Sequence, residues 1–212
     1  MRILTIPPDR YADHPNQLAQ MHRLRANVFR GCLEWDVTVT ESGEFDEYDR
    51  FDPTYILAIT DDARVVACAR LLSAQGPAML EVTFSQLLGT GSLGASPTMV
   101  ESSRFCVDTS LAEARGRGQV HLATLTMFAG IIEWSMANGY NEIVTSTDLR
   151  FERILSRAGW PMKRLGEPRE IGNTVAIAGL LPADPESFDR VRPMGYQSVI
   201  SDIQRPNIRS AA

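Results

Sequence analysis

Hydrophobic and polar positions change their spacing several times along the chain, and each change marks an element. Arg2 to Ile6 reads as a short strand, ended by Pro7-Pro8. Leu18, Met21, Leu24, Arg25 and Phe29 recur at helical spacing and predict a helix from Gln17 to Phe29, with Arg25 and Phe29 on one face. From residue 31 to 53 the periodicity fades and the chain turns acidic, with Gly31, Gly43 and Pro53, so a long loop is expected. Trp35, Phe45, Tyr48 and Phe51 supply it with anchors against disorder. Tyr55 to Thr60 and Val65 to Leu72, joined through Asp61-Asp62, read as a β-hairpin. Thr83 to Leu88 reads as a short helix, followed by a Gly/Ser loop to Pro97. Leu122 to Asn138 is apolar on most faces, which predicts a central helix packed on a sheet and stopped at Gly139. Ile143 to Thr147 is a strand, and Asp148 caps a helix through Ala158, closed by Gly159 and Pro161. Thr174 to Leu181 and Pro185 to Val191 complete the series as a strand and a short helix. Antiparallel strand pairs come first and strand–helix alternation later. The fold class expected is therefore α/β (α+β): a mixed twisted sheet flanked by helices, as a single domain over residues 1–212.

The strand Met99-Val-Glu-Ser-Ser-Arg-Phe-Cys-Val-Asp108 breaks the apolar pattern, because Glu101 and Arg104 lie near its middle. Charges in a core strand are costly unless paired, so this strand either meets a partner cluster or lines a cleft. Arg25, Asp46, Asp49 and Arg70 are the candidate partners. The two aspartates come from a loop, where packing does not demand them, and Phe29 and Trp35 lie near them in sequence, offering flat apolar surface beside charge as ligand pockets do. In a regular strand, residues three apart face opposite sides. Glu101 and Arg104 therefore share a cleft only through a β-bulge, expected near Ser102 or Ser103.

Composition narrows the picture further. Hydrophobic residues make up 44% and charged residues 22%, ordinary for a globular protein, and the formal net charge of −5 argues against general nucleic-acid binding. Cys32, Cys68 and Cys106 show no metal-ligand spacing, and their odd number suits free thiols in a reducing compartment. The N-terminus is too short and polar for a signal peptide, and no apolar run approaches the ~20 residues that span a bilayer. A cytoplasmic protein without a membrane or nucleic-acid partner is expected. Gly89-Thr-Gly-Ser-Leu-Gly94 matches a dinucleotide-loop pattern, but no strand precedes it and no helix follows, so it reads as a plain loop. His14, His22 and His121 lie too far apart in sequence for a ligand set, and His22 reads as structural. Arg150, Arg153 and Arg157 share a helix face, with Lys163 and Arg164 just beyond; without an acidic partner this is a solvated face.

Taken together, Arg25-x-x-x-Phe29, Trp35, Asp46-x-x-Asp49, Arg70, Phe84 and Glu101-x-x-Arg104 resemble the pattern of LuxI-type acyl-homoserine lactone synthases, in order and without a gap. Val100 to Ser110 and Leu125 to Met136 are similar to the TraI-type synthases of rhizobial and Agrobacterium plasmids. The resemblance implies a fold like that of the GCN5-related N-acetyltransferases. It implies two substrates, an acyl group on acyl carrier protein and S-adenosylmethionine, and no cofactor, since S-adenosylmethionine is consumed. The amine of S-adenosylmethionine is acylated, its carboxylate then closes the lactone, and methylthioadenosine leaves.

On that reading Glu101 is the expected general base, directly or through water, and Arg25, Phe29, Trp35 and Phe84 hold S-adenosylmethionine, with Arg25 on its carboxylate. Asp46 and Asp49 orient the arginines, and Arg70 and Arg104 are their partners. Thr145 and Thr147 line the acyl pocket among Leu122, Met127 and Leu155, and the resemblance associates a threonine at the position of Thr145 with 3-oxo products of medium chain. The face of Arg150, Arg153, Arg157, Lys163 and Arg164 becomes a docking surface for the acidic carrier. Two alternatives are a coenzyme-A-dependent N-acyltransferase of the same fold, weakly echoed by Arg115-Gly-Arg-Gly-Gln, and a non-catalytic module binding acyl or adenosyl ligands.

Overall fold

The computed structural model of the chain describes residues 1–32, 37–109 and 120–197. The N-terminal half begins with β1 (Arg2–Ile6), α1 (Pro15–Ala26) and a widened helical turn over Asn27–Cys32. A small hairpin follows, β2 (Val39–Thr40) with β3 (Gly43–Glu44), then a 3-10 turn over Glu47–Arg50. Next come β4 (Thr54–Ile59), β5 (Val65–Ser73), α2 (Met79–Val82) and β6 (Met99–Val107). The rest alternates: α3 (Leu122–Ala137), β7 (Glu142–Asp148), α4 (Leu149–Arg157), β8 (Lys163–Arg164), β9 (Arg169–Ile171), β10 (Thr174–Pro182) and α5 (Pro185–Val191). The stretch expected as a loop from 31 to 53 thus carries a hairpin and a helical turn. The helix expected at Thr83–Leu88 is replaced by α2 just upstream and a single 3-10 turn at Ser85–Leu87.

Apart from the β2–β3 hairpin, which pairs only with itself, the described strands form one mixed eight-stranded sheet in the order β1-β4-β5-β6-β7-β10-β8, with β9 also on β10. β4 and β5 are apolar along almost their whole length because both sheet faces are covered. Ile56 and Ala58 of β4 pack under α3, together with Ile3, Phe128, Ile131 and Ile132. Tyr55, Leu57 and Ile59 of the same strand face the opposite side, against Met21 and Leu24 of α1. Gly130 lets α3 settle on β1, since a Cβ there would lie 2.8 Å from the Ile3 side chain. Asp148 caps α4 as its sequence suggested, accepting from Phe151 N at 2.7 Å.

Among the described residues β6 and β7 are the one parallel pair, and their register stops early. Met99 faces Glu142, Val100 faces Ile143 and Glu101 faces Val144; beyond these three pairs both strands continue without pairing to each other. The separation begins where β6 changes register against β5. Arg70 pairs with Ser103, but Cys68, two residues back, pairs with Cys106, so β6 carries one extra residue. That residue is Arg104, with a left-handed φ of 52°. The expected bulge is present, one or two residues beyond Ser102–Ser103. A hydrogen-bonded ladder reads only local alternation from sequence, and the extra residue sits where the side chain has partners strong enough to hold a left-handed backbone.

Among the described residues no helix is long and apolar enough to cross a membrane. Gly43, at φ 120°, passes so close to α1 that a Cβ would lie 2.4 Å from the carbonyl carbon of His22. Both the strained φ and the backbone clash are removed only by lifting the hairpin off α1. Gly43→Ala is expected to lower stability by at least about 2 kcal/mol. The check is the midpoint of urea unfolding at unchanged slope.

Candidate active site

Six charged side chains meet between α1, the β2–β3 hairpin and the inner strands, and they form a closed ring. Arg25, fully buried on the inner face of α1, donates to Glu44 and binds both oxygens of Asp49 at 2.8 Å. Arg70 of β5 binds Asp49 Oδ1 at 3.0 Å and Asp46, and its Nε donates to Ser103 Oγ at 3.1 Å. Arg104 donates to Glu44 Oε1 at 3.0 Å and lies 2.7 Å from Asp46 Oδ2. Each carboxylate bridges two arginines, and the ring Arg25–Glu44–Arg104–Asp46–Arg70–Asp49 closes with zero net charge.

Local chemistry puts each acid in place. Asp46 and Asp49 cap the Glu47–Arg50 turn reciprocally, Asp46 accepting from Tyr48 N at 2.9 Å and Asp49 from Asp46 N at 2.9 Å. Glu44 is aimed by its hairpin, whose own carbonyl meets His22 Nδ1 at 2.9 Å. His22 is indeed structural: its ring stacks on Phe45, and burial lowers its pKa, so the neutral ring offers Nδ1–H to that carbonyl. Burial by itself would raise the Asp49 carboxyl. The hydrogen bonds and charge of Arg25, and then Arg70, outweigh burial and hold it well below the usual carboxylate range.

Glu44 escaped the sequence reading, although it is fully buried. The available signal was the charge count: three arginines meet only two loop aspartates, and a closed neutral cluster needs a third acid. Glu101 does not supply it. Its carboxylate is 1% exposed and accepts from Met79 N at 2.8 Å and Leu80 N at 2.7 Å, so it anchors the start of α2. Burial pushes its pKa up, and the two N–H groups pull it partly back. Both oxygens of Glu101 accept backbone N–H groups and it has no place on the cleft wall, so the direct form of the expected general-base role finds no contact with the cleft in this structure. Arg25 is corrected likewise. Its guanidinium is spent on Glu44 and Asp49 with no surface exposed, so no substrate carboxylate reaches it here.

A cleft of about 690 Å³ opens beside the ring, where β6 and β7 separate. Phe29, Asp46, Tyr48, Met79, Thr83, Phe84 and Arg104 line one part; Ser103, Phe105, Thr145 to Asp148 and Phe151 line another, and the β9–β10 turn borders it. Arg104 is the guanidinium that faces the cleft, resting over the Phe29 ring at 5.5 Å and against Met79 Sδ at 3.6 Å. Tyr48, unrecognised from sequence except as an anchor, lies under Arg70 and shares a 2.7 Å hydrogen bond with Thr83. Arg70 and Asp49 lie behind the wall.

Thr145 and Thr147 share the sheet face of Ile143, toward α3 and α4, and both line the cleft. The expected pocket neighbours Met127 and Leu155 are instead sealed in the core, and Leu122 is exposed. Trp35 and Arg115 to Gln119 lie outside the described residues. Arg150, Arg153, Arg157 and Lys163 are exposed, whereas Arg164 is held by both oxygens of Glu152 at 2.6 and 2.8 Å.

Residues 9–191 match the family of autoinducer synthases. The chain belongs to that family. It is similar along its whole length to the acyl-homoserine-lactone synthase of Agrobacterium fabrum, at 66% identity over 212 residues and all of both chains. Among solved structures, the acyl-homoserine lactone synthase LasI aligns with 89% of this chain and 93% of its own at 29% identity, with a TM-score of 0.76. The coenzyme-A-dependent synthase BjaI, with S-adenosylmethionine and isopentyl-CoA, aligns with 93% of this chain and 92% of its own at 22% identity, with a TM-score of 0.81. An N-acetyltransferase from Lactobacillus plantarum shares the fold at a TM-score of 0.57, 15% identity and coverage of 86% and 98%, which bears out the expected acetyltransferase-like architecture. The chain is therefore an enzyme, an acyltransferase that makes an acyl-homoserine lactone.

Two outcomes follow for the synthase. Glu44→Ala, Asp46→Asn, Arg25→Ala and Arg104→Ala are each expected to remove most activity, and the truncations to cost about 3–5 kcal/mol, because a stranded buried charge remains; activity and urea midpoints read both. Asp49 titrates lower in the fold than in the unfolded chain, where an aspartate sits near ~3.9. Its contribution is complete above ~pH 5 and drains away as the pH falls through 4 toward the folded value. Urea midpoints between pH 6 and pH 3 should fall in the wild type and fall less steeply in Asp49→Asn; equal slopes would sink the assignment.

Proposed function

We propose that the synthase takes its acyl group from acyl carrier protein and joins it to the amine of S-adenosylmethionine, and that the product is a 3-oxo medium-chain lactone of the octanoyl type. The observation that carries this reading is the cleft itself. One part is aromatic and charged, with Phe29, Phe84, Asp46 and Arg104, and another joins the rings of Phe105 and Phe151 to the hydroxyls of Ser103, Thr145 and Thr147, and they meet at the separation of β6 and β7. The first suits an adenosyl group with a cationic amine and a carboxylate; the second suits an acyl chain.

Phe29 and Phe84 offer stacking surface to the adenosyl group, and Arg104 takes the carboxylate role first expected of Arg25. Asp46, bordering the cleft, balances the substrate's amine and sulfonium charges. An α-amino group has a pKa near ~7.8, so about a seventh is already neutral at pH 7 and deprotonation costs only about 1 kcal/mol. No buried base is required, and Glu101 serves as a positioning residue for α2. The larger gain is orientation, worth ~7–11 kcal/mol for well-aligned reactants. The neutral amine attacks the thioester carbonyl, and backbone N–H groups of β6 beyond its last pair with β7 steady the oxyanion. The C–S bond breaks and the carrier thiol leaves. The substrate carboxylate then attacks its own γ-carbon, and methylthioadenosine departs with the sulfonium electron pair.

The carrier donor is supported by α4. Asp148 and Phe151 at its start line the cleft, so the exposed Arg150, Arg153, Arg157 and Lys163 stand beside the entrance of an otherwise acidic enzyme. A negatively charged carrier is steered there mainly through its association rate. The 3-oxo group is supported by Thr145, whose Oγ lies a long 3.5 Å from the Ser146 carbonyl and is therefore available to a substrate oxygen.

Purified synthase given S-adenosylmethionine and 3-oxo-octanoyl carrier protein is expected to release methylthioadenosine and lactone together, seen by mass spectrometry; turnover confined to coenzyme A thioesters would overturn the donor. Charge reversal at Arg153 and Arg157 is expected to raise KM for the carrier thioester and flatten its salt dependence, with S-adenosylmethionine binding unchanged. Thr145→Val should lower 3-oxo turnover by about one hydrogen bond, ~1 kcal/mol, and spare the unsubstituted chain. Equal losses on both chains would make Thr145 a packing residue.

A further inference from the structure

The part of the cleft lined by Thr145 and Thr147 ends on a cluster of aromatic rings. Phe105 and Phe151 line it, with ring centroids 4.7 Å apart and planes tilted by 56°. Behind them Phe128 of α3 touches both, at 5.5 Å from Phe105 and 5.8 Å, edge to face, from Phe151. Trp160 backs Phe128 at 5.4 Å, with its indole N–H fixed on the Pro182 carbonyl at 2.9 Å. Phe128 and Trp160 are buried among Met127, Ile131, Leu155 and Leu181, so the second row of rings cannot retreat. The first row is fixed as well. Phe151 lies in the first turn of α4, and its own N–H is the one that Asp148 caps. Phe105 follows directly on the left-handed Arg104. The extra residue there turns Phe105 to the α3 side, where it joins Phe128 rather than facing Arg70.

We propose that Phe151, braced by Phe105 and Phe128, is the stop that sets the longest acyl chain the synthase accepts. The inference rests on the reading of this part of the cleft as the acyl site. A chain running past Thr145 and Thr147 meets rings that close the way to a packed core. Interiors are packed to crystal density, so the stop yields only if a ring is removed. Of the three, Phe151 is the half-buried ring carried by a helix rather than by the bulged strand, so its truncation lengthens the pocket without disturbing Arg104.

The experiment is a competition assay in which octanoyl and dodecanoyl thioesters are mixed in one tube, as carrier-protein and as coenzyme A derivatives in parallel. Lactones are counted by mass spectrometry for the wild type, Phe151→Ala, Phe151→Leu and Phe151→Trp. Phe151→Ala is expected to raise the dodecanoyl-to-octanoyl product ratio about tenfold, what burying two further methylenes supplies. Phe151→Leu should raise it less, and Phe151→Trp should lower it. Because both chains compete for the same enzyme, a fraction of misfolded protein cancels from the ratio. A ratio that stays at the wild-type value in Phe151→Ala and Phe151→Leu overturns the stop while leaving the reaction standing. A wild type that makes no lactone from any of these thioesters overturns the reaction, and the stop with it.

Discussion

The closed ring of Arg25, Glu44, Arg104, Asp46, Arg70 and Asp49 is the interaction on which the rest of the N-terminal half depends. It joins α1, the β2–β3 hairpin, the Glu47–Arg50 turn, β5 and β6 at one point. A buried charge is tolerable only when paired and hydrogen-bonded, and a lone pair of ions in the core often fails to recover its desolvation. A ring meets this constraint differently. Every carboxylate has two cationic partners and every guanidinium two anionic ones, so no member is left facing apolar surroundings alone. The arrangement is directional as well as neutral, because a guanidinium presents its N–H groups in a fixed fork. Few backbone arrangements satisfy six such members at once.

Arg104 links that ring to the cleft. Its left-handed backbone is unfavourable by about 1–2 kcal/mol for a residue with a side chain, and contacts with Glu44, Asp46, Met79 and the Phe29 ring offset it. In return β6 acquires its extra residue. Glu101, Ser103, Arg104 and Cys106 then all serve the ring side, while Phe105 crosses to the helix side. Ring and cleft are thus two sides of one irregularity. The thiols of Cys68 and Cys106, 3.3 Å apart, fill the small space left beneath it, with Cys68 directed at the Arg104 carbonyl.

Much of this was legible in the residues. The hairpin of β4 and β5, the central helix, the Asp148 cap and the final strand and helix follow from period, caps and stop signals. The need for a charged cluster around Glu101 and Arg104 followed from the cost of burying them. What failed has a common origin: sequence gives the residue types but not the partner each one finds. Arg25 was expected at the substrate and is consumed by Glu44 and Asp49. Glu101 was expected at the chemistry and is consumed by the backbone of α2. Glu44 was passed over because a single acid in an acidic loop carries no local mark. The bulge was deduced from the need for Glu101 and Arg104 to share a side, yet alternation alone did not show which residue was the extra one. Met127 was expected at the acyl pocket, but on the apolar α3 no periodicity separates core from cavity lining; on α4 the i, i+4 pair Phe151 and Leu155 share a face, and only Phe151 reaches the cleft.

Synthesis proceeds from the N-terminus, and this gives the bulged strand a second consequence. Strands β1, β4, β5 and β6 pair antiparallel within the first 107 residues, while β7 closes the far side of β6 only after α3 has been made. At ~5–20 residues per second, the 41 residues from 108 to 148 leave β6 as an open edge for about 2–8 s. An open flat edge is a template for intermolecular pairing, and inward-pointing charges and bulges are the devices that blunt such edges. Glu101 and Arg104 provide both on this strand, so the irregularity that borders the cleft in the finished fold also blunts this edge while it stands open.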